Sequence, residues 1–356
     1  MINTYDVART YDWNYRNGPV YDGPFPQVPG TPQKEFLGLT VNSRLGIAAG
    51  LLLNANWVGM YGRLGFDILT YKTVRSQFRE CQDLPNWVFV DRDDQIDPSR
   101  LDEAQKLLPQ QPADYTAITS SVSFGMPSRA PDEWMPDVAR ARQALRPGQV
   151  LVVSVVASPQ PESDVSEMIS DFGDLAAMAR EAGAQVVEAN LSCPNVCTAE
   201  GDIFLDADLS GRIAAAMHRG AGGIPVLLKL GHFADDDRIA QVLRAVDGKA
   251  AGVVMVNGIS RRVVGADGTA AFGAGREVSG ILGRGIHRFS LDNVTTAIGI
   301  IARDRLALKV VAVGGVSTPE DAAHYFDAGA AAVMMGSAPM FDPTLAISFK
   351  RSHPEW

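Results

Sequence analysis

The stretch Glu188-Ala-Asn-Leu-Ser-Cys-Pro-Asn-Val196 decides how the rest of the sequence is interpreted. It follows a short β-forming run and then changes to amides, a thiol and a proline. Such a change is typical of a buried parallel strand that ends in a loop, where α/β barrels place their chemistry. Pro194 restricts the backbone after Cys193, and Asn190 and Asn195 each donate and accept hydrogen bonds. The pattern favours a thiol held between two amides, although a free cysteine is more often a small buried hydrophobic residue.

The composition predicts a globular cytoplasmic protein. Of the 356 residues 46% are hydrophobic, which is enough for a large core, and the net charge is −9 without a basic cluster. Nucleic acid and anionic membrane surfaces are therefore not expected as partners. The three cysteines, Cys81, Cys193 and Cys197, are too few for a disulfide framework and favour a reducing compartment. No run is apolar enough to span a bilayer, and the first residues do not resemble a leader peptide.

Two regions are distinguished by composition. Residues 1–37 are rich in tyrosine and proline and show no helical or strand period, so we expect an irregular N-terminal arm. Because disordered tails are poor in aromatic residues, we expect this arm to lie ordered on its own surface or a neighbour's; a mobile tail is the alternative. Residues 38–356 form the second region.

Apolar runs alternate with helical stretches in this second region. Strands are predicted at Leu45–Ala49, Asp67–Tyr71, Ala117–Val122, Val150–Val156, Gln185–Leu191, Pro225–Leu230, Gly252–Val256, Lys309–Val313 and Ala331–Met335. Helices are predicted at Pro131–Leu145, Ser163–Ala182, Asp206–His218, Asp235–Val246, Ser290–Arg303 and Pro319–Ala328. The alternation predicts an α/β protein with a (β/α)8 TIM barrel, with one of the nine strands outside it. The polar stretch 75–114 interrupts the pattern, and there we expect a long loop with one helix.

The last quarter of the sequence predicts a phosphate site. One strand ends in Gly314-Gly315 and the next in Gly336-Ser337, and a short helix is predicted at 338–341. Strand ends of this kind expose backbone N–H groups, and the last strands of such barrels commonly hold a phosphate. Ordinary strand-to-helix turns are the alternative.

Two lysines occupy positions where chemistry is expected. Lys229 interrupts the apolar strand Pro225–Leu230, and Lys72 falls at the end of another strand. A buried lysine is rare unless it is paired. Each lysine is a candidate donor to the electron-poor end of a flavin, or a Schiff-base nucleophile of a lyase. An ordinary surface lysine is the third interpretation.

The sequence resembles the dihydroorotate dehydrogenase family, whose members are FMN-binding barrels that oxidise a dihydropyrimidine. The motif Asn190-Leu-Ser-Cys-Pro-Asn195 is highly specific, whereas Val313-Gly-Gly315 and Gly336-Ser337 are shared with many phosphate-binding barrels. The resemblance covers most of residues 38–343. It implies an FMN-dependent oxidoreductase of pyrimidine metabolism and, together with the aromatic arm, a homodimer. Cys197 lies four residues after Cys193 with no third or fourth ligand nearby, so no metal is expected. With cysteine at position 193 the sequence resembles the soluble class of the family, since the membrane-associated class has serine there.

The resemblance also implies roles for individual residues. Cys193 matches the catalytic base, which takes a proton from the substrate while a hydride leaves the neighbouring carbon for flavin N5. The implied substrate-binding residues are Lys72, Asn190, Asn195 and Asn257. The implied cofactor-binding residues are Ala49, Gly50, Lys72, Thr73, Asn190, Lys229, Val256, Gly280, Gly314, Gly315, Gly336 and Ser337, with Ser279-Gly280 resembling a glycine-rich turn.

Two positions depart from the family pattern. Val122 stands where the family has a substrate-binding asparagine, and Gly258 stands where it has serine or threonine. A site built for a polar edge loses affinity when a partner is lost, so a different dihydro-heterocycle is an alternative substrate. Arg75 is either a further charge in the pocket or a surface arginine.

The electron acceptor is left open by the sequence. It contains no four-cysteine iron–sulfur motif and no G-x-G-x-x-G segment, so NAD would need a partner reductase or the flavin site itself. Fumarate, oxygen and a quinone are the other candidates. Two further alternatives are a Schiff-base lyase that uses Lys229 or Lys72, and a barrel that serves only as a binding module.

Overall fold

The structure, a computed structural model, describes residues 3–92, 95–97, 99–100, 103–158, 164–192 and 202–356. The strands of these residues are β1 Lys34–Phe36, β2 Leu39–Val41, β3 Leu45–Leu52, β4 Ile68–Val74, β5 Trp87–Val90, β6 Gln105–Leu108, β7 Thr119–Val122, β8 Val150–Val155, β9 Val186–Asn190, β10 Val226–Lys229, β11 Gly252–Met255, β12 Ile259–Val264, β13 Val278–Gly283, β14 Lys309–Val313 and β15 Ala332–Met335. The α-helices are α1 Tyr11–Asn17, α2 Ala55–Arg63, α3 Pro131–Ala144, α4 Val165–Glu181, α5 Ala207–Ala221, α6 Asp236–Val246, α7 His287–Asp304, α8 Pro319–Ala328, α9 Ala338–Phe341 and α10 Leu345–Ser352.

Eight parallel strands close into a barrel in the order β3, β4, β8, β9, β10, β11, β14, β15. Each of the eight contains most of a strand predicted from the sequence, and helices follow them as in a (β/α)8 barrel. The ninth predicted strand, Ala117–Val122, is the one outside the barrel, where it corresponds to β7. The predicted barrel is therefore confirmed.

A second, smaller sheet joins β12, β13, β7, β5 and β6 and also closes on itself. Its strands come from the segments after β4 and after β11, so it lies at the carboxyl end of the barrel. The prediction of one helix in residues 75–114 is wrong, since the described part of that stretch holds β5 and β6 and no α-helix. Val88 and Val90 of β5 pack with Ile281 in a small apolar cluster. The four apolar residues of β5 are too few to indicate a strand within a stretch that is otherwise polar.

The barrel interior changes from apolar to polar along its axis. Alternate residues of a strand face the same side, so Val186 is followed inside by Glu188 and Asn190. In the same way Leu227 is followed by Lys229. The amino ends of the strands thus form a hydrophobic core, and the carboxyl ends present buried polar groups.

A buried ion pair joins the end of the chain to the amino end of the barrel. The Lys350 amine of α10 lies 2.6 Å from Asp67 Oδ2, just before β4, and both side chains are 2% exposed. Ser43 Oγ donates to the same carboxylate oxygen at 2.6 Å. Because both charges are removed from water, losing either partner alone would leave an uncompensated buried charge.

The N-terminal arm packs on the barrel of its own chain. Tyr5 and Tyr11 are 3% and 6% exposed, and the Tyr5 ring lies 6.2 Å from that of Trp57 in α2. The Thr4 amide donates to the carbonyl of Met340 at 3.0 Å. Helix α1 departs from the expectation of an irregular arm, and it begins where the Thr10 side chain accepts from the Trp13 amide. The predicted boundary between residues 37 and 38 falls in the turn of the β1–β2 hairpin.

Candidate active site at the carboxyl end of the barrel

Two buried groups of opposite charge lie at the centre of the polar layer. Lys229 is 2% exposed, and its amine donates to the Ala49 carbonyl at 3.3 Å. Neither carboxylate oxygen of the fully buried Glu188 has a hydrogen-bond partner among the described residues. Burial lowers the pKa of Lys229 and raises that of Glu188, and the attraction between the two groups opposes both shifts. Glu188 was given no role by the sequence analysis, although its spacing of two from Asn190 places both on one face of a strand.

The second lysine is surrounded by aromatic rings. Lys72 is 8% exposed, and its amine lies 5.7 Å from the Tyr11 ring centroid and 5.9 Å from that of Phe124. Burial lowers the pKa of Lys72 to about 8, although the nearby Cys81 thiol raises it; the charge of Lys229 lowers it further. The interpretation of Lys72 and Lys229 as ordinary surface lysines is therefore wrong. Tyr11, which belongs to the arm, is part of the site, and nothing in its sequence context indicated this.

The two predicted asparagines in the described residues are brought together. Asn190 is 3% exposed, and its Oδ1 accepts from the Ser192 hydroxyl at 3.1 Å. Asn257 Nδ2 donates to the same Asn190 oxygen at 3.5 Å and also to Ser192 Oγ. Cys193 and Asn195, the predicted base and a predicted amide ligand, lie outside the described residues.

The glycine-rich strand ends lie side by side, because β14 pairs with β15. Gly315 has a φ of 66°, in the region that favours glycine, and a Cβ there would lie 2.7 Å from His287 Cβ and 2.9 Å from the Gly283 carbonyl oxygen. Ser337 precedes α9 directly. The predicted turn at Ser279-Gly280 is wrong: Gly280 lies inside β13, paired with Val122, and the positive-φ glycine beside Gly315 is Gly283.

The open space at this end of the barrel fits a phosphorylated flavin. A Cβ built on Gly50, Gly280 or Gly336 would meet no atom within 4 Å, so a ligand has room to lie against the backbone at these three glycines. The buried amines of Lys72 and Lys229 supply positive charge there. Thr73, whose hydroxyl lies 3.0 Å from Ser154 Oγ, and Val256, whose amide donates to the Val313 carbonyl at 2.7 Å, are both held in place.

Asn86, which the sequence did not indicate, lies next to Cys81, whose thiol is close enough to Lys72 to raise its pKa. Asn86 is 1% exposed; its Nδ2 donates to Cys81 Sγ at 3.7 Å, while its Oδ1 has no partner among the described residues. The Trp87 indole N–H likewise has no partner within that part of the chain. Buried polar groups normally have hydrogen-bond partners, and a bound ligand is one way to satisfy them. Burial raises the pKa of Cys81 to about 11, so this thiol stays protonated at neutral pH.

The structure explains the glycine at position 258 and shows the surroundings of Val122 and Arg75. A Cβ at Gly258 would lie 3.0 Å from the Ile281 carbonyl oxygen, so packing against β13 favours glycine there. Val122 pairs with Trp87, the first residue of β5, and the Ser123 amide donates to the carbonyl of Asn86 at 3.0 Å, so Asn86 lies directly before the strand that neighbours Val122. Arg75 is 2% exposed and its NH1 donates to the Ala157 carbonyl at 2.6 Å, so its interpretation as a surface arginine is wrong.

These features define a class: a (β/α)8 oxidoreductase with a flavin-phosphate site and buried amines at the barrel mouth. The dihydroorotate dehydrogenase family model matches residues 120–350. The chain is 31% identical over 365 residues to a dihydroorotate dehydrogenase of Dictyostelium discoideum, with 98% of this chain and 97% of that protein covered. The chain belongs to the dihydroorotate dehydrogenase family.

Two bacterial relatives match over about half of this chain. The catalytic subunit of dihydroorotate dehydrogenase B (NAD(+)) from Maridesulfovibrio salexigens is 29% identical, covering 52% of this chain and 59% of that protein. Dihydroorotate dehydrogenase A (fumarate) of Lactiplantibacillus plantarum is 30% identical, covering 49% and 56%. The prediction of an FMN-dependent oxidoreductase of this type, acting on CH–CH bonds, is confirmed, and a Schiff-base lyase is not favoured.

Across the described residues, no helix combines the length and apolar character needed to cross a membrane.

Proposed function

We propose that the chain oxidises dihydroorotate by removing hydrogen from two adjacent ring carbons. The observation that carries the proposal is the convergence of Lys72, Asn190 and Asn257 with the buried, partly unsatisfied Asn86 at one end of the barrel. Amides and an amine suit a planar ring with several carbonyl and N–H groups. The packing reason for Gly258, and Asn86 beside Val122, support dihydroorotate over a different heterocycle.

The proposed cofactor-binding residues are those that the resemblance to the family implies. They are Ala49, Gly50, Lys72, Thr73, Asn190, Lys229, Val256, Gly280, Gly314, Gly315, Gly336 and Ser337. Bound FMN supplies a hydride acceptor. The hydrogen bond to the Ala49 carbonyl holds the Lys229 amine in place, where it would supply a positive charge to the flavin ring. The exposed backbone of the glycine turns holds the phosphate.

The proposed substrate-binding residues are Lys72, Asn190, Asn195 and Asn257, to which we add Asn86. Asn86 Oδ1 accepts from a ring N–H, a role that Val122 cannot fill. Cys193 takes the proton from the carbon next to the substrate carbonyl. A free thiol has a pKa near 8.5, so the rate of proton removal rises with pH until the thiol is fully deprotonated.

The visible spectrum of the purified protein, recorded anaerobically before and after adding dihydroorotate, tests the function. The expected result is a yellow protein whose flavin absorbance bleaches at a rate proportional to bound substrate. A yellow protein that dihydroorotate leaves unchanged would overturn the proposed substrate but not the flavin barrel.

The role of Cys193 is tested by the same bleaching in single turnover. Loss of a general base costs about 10²- to 10⁴-fold, so Cys193→Ala and Cys193→Ser should bleach that much more slowly. Cys81→Ala is the matched control when the rates are compared at saturating dihydroorotate, because the Cys81 thiol accepts from Asn86 but, being protonated, cannot act as a base at neutral pH. A Cys193→Ala protein with the wild-type bleaching rate would contradict the assignment.

The electron acceptor is identified by mixing the reduced protein with candidates. Reoxidation by fumarate alone would identify fumarate as the acceptor, which is the compound that the name of the Lactiplantibacillus plantarum relative gives for that protein. Reoxidation by NAD+ only in the presence of a second protein would instead indicate a partner reductase.

The proposed assembly is a homodimer in the cytoplasm. Val278 of β13 is 58% exposed, and the loop after β4 carries Phe78 at 57% and Leu84 at 41%. Arg276 NH1 donates to the Asp83 and Pro85 carbonyls at 2.9 and 3.1 Å, so Leu84 lies close to β13. Exposed apolar side chains grouped in this way support a second copy as their cover. Analytical ultracentrifugation should find a dimer for the wild-type protein and a monomer for Val278→Asp.

A further inference from the structure

Two histidines and an aspartate form a cluster behind the phosphate turns. His287 begins α7, and Asp321 and His324 are three residues apart on one face of α8. One ligand atom from each residue lies within 4.8 Å of the other two. His287 Nε2 is 3.3 Å from His324 Nδ1 and 3.8 Å from Asp321 Oδ1. No metal is expected from the sequence, and no spacing motif joins His287 to Asp321, which lies 34 positions further along the chain.

The 3.3 Å between His287 Nε2 and His324 Nδ1 is the distance expected of two nitrogens that bind one metal ion. Two nitrogens bound to one Zn²⁺ at about 2.0–2.1 Å and at a tetrahedral angle lie about 3.3 Å apart. Asp321 Oδ1, now 3.8 Å from His287 Nε2, would have to come about half an ångström closer to reach the same separation, and all three ligand atoms already lie within 4.8 Å of one another. His324 is exposed, so its ring can adjust to the ion, and solvent can supply a fourth ligand.

The surrounding hydrogen bonds orient the ligand atoms. His287 Nδ1 lies 3.1 Å from the Gly314 carbonyl, which only accepts, so Nδ1 carries the proton and the Nε2 lone pair faces the cluster. Asp321 Oδ2 accepts from the Ser317 and Thr318 amides at 3.1 and 3.0 Å, which leaves Oδ1 directed to the cluster. Outer partners of this kind, a backbone carbonyl on a histidine and donors on a carboxylate, accompany metal ligands in proteins.

We propose that His287, Asp321 and His324 bind a divalent transition-metal ion, with Zn²⁺ as the best match. Two imidazoles and one carboxylate select such ions over Mg²⁺ and Ca²⁺, which prefer all-oxygen sites. The ion lies directly behind Gly314, and the Gly314 carbonyl also accepts from the Tyr325 hydroxyl at 2.8 Å. Binding therefore fixes the backbone of the phosphate turn.

Arg284 competes with the ion for the carboxylate. Its NH1 lies 2.6 Å from Asp321 Oδ1, and the side chain is 38% exposed, so it is free to turn toward solvent. A metal ion and the guanidinium cannot both hold this oxygen without repulsion between their charges. Removing the Arg284 charge therefore strengthens metal binding, a change that a purely structural cluster would not show.

The experiment is calorimetric titration of Zn²⁺ into chelator-treated, FMN-loaded protein. Wild-type protein should take up one Zn²⁺ per chain, with a rise in Tm of about a few degrees at saturating metal. His324→Ala should weaken binding at least about 10-fold, since it removes one of three ligands. His218→Ala, which removes an exposed histidine on α5, is the matched control and should bind as wild type does. Arg284→Gln should bind about threefold or more tightly than wild type.

Three outcomes would overturn the site. They are absence of saturable uptake in the wild-type protein, equal uptake in His324→Ala, and equal heat with Mg²⁺. Equal uptake in His324→Ala would show that the Zn²⁺ binds elsewhere in the chain. None of these readouts uses turnover, so the proposed oxidation of dihydroorotate stands or falls separately.

Discussion

Lys72 is the described residue through which pH should act on ligand binding. Its pKa of about 8 means that the amine is charged below pH 8 and neutral above it, because burial penalises the charged form. If Lys72 binds the carboxylate-bearing product orotate, affinity is highest below pH 8 and falls as the pH rises through 8. We expect the Kd, measured from the flavin spectrum, to increase up to about 10-fold per pH unit above 8.

Lys72→Arg is the control for this pH dependence. Arginine stays charged throughout the range, so the Kd of that variant should not change between pH 7 and 9.5. A wild-type Kd that is equally flat would show that Lys72 does not bind the anion.

Asn86 should affect substrate binding more than chemistry. Asn86→Ala removes the unpartnered Oδ1, and a lost hydrogen bond to a ligand costs about 1–3 kcal/mol, or roughly 5- to 150-fold. We expect the KM for dihydroorotate to rise within that range while the bound flavin spectrum stays unchanged. A structural role for Asn86 would instead lower Tm and leave KM as it is, so the two measurements together decide.

The role of Gly336, which directly follows β15, can be tested by a substitution that does not disturb the fold. Gly336 has neither a positive φ nor a neighbour within 4 Å of a built Cβ, so Gly336→Ala should leave the stability of the flavin-free protein unchanged. The added methyl group would occupy the proposed phosphate space. We expect FMN affinity to fall at least about 10-fold, measured by fluorescence titration.

Gly299→Ala is the matched control for this change. Gly299 is exposed inside α7 with open space around it, so alanine there should stabilise the protein by about 0.5–1 kcal/mol and leave FMN affinity unchanged. Equal FMN affinity of Gly336→Ala and wild type would remove Gly336 from the cofactor site.

The elements differ in how far sequence could predict them. The eight barrel strands are buried on both faces and carry near-continuous apolar runs such as Val150–Val155, so each was predicted within a few residues. The sequence does not reveal β5 and β6, which have only four residues each, or β12 and β13, in which buried residues alternate with partly or fully exposed ones; all four depend on one another for pairing. At the site, motif residues such as Asn190 could be predicted. Tyr11, Asn86 and Glu188 could not, because their roles come from contacts between distant segments.

The Lys350–Asp67 ion pair, which joins α10 to the amino end of the barrel, should contribute to the stability of the whole protein. Lys350→Met leaves the Asp67 carboxylate buried, with Ser43 and Gln149 as its remaining side-chain partners among the described residues, and such losses cost about 3–5 kcal/mol. The free energy of unfolding, measured with urea, should fall by that amount. The double variant with Asp67→Asn should recover part of the loss, since no unpaired charge remains. A single variant as stable as the wild-type protein would show that the pair is not needed.

The same ion pair has a consequence for how the protein is made. Asp67 leaves the ribosome 283 residues before Lys350, and β3 leaves long before its partner β15. Until then the nascent chain holds an open sheet with an unpaired edge and a carboxylate that must stay hydrated. The barrel can therefore close only after Lys350 has been synthesised, and a transcript that ends before codon 350 should yield a chain that chaperones retain or proteases remove.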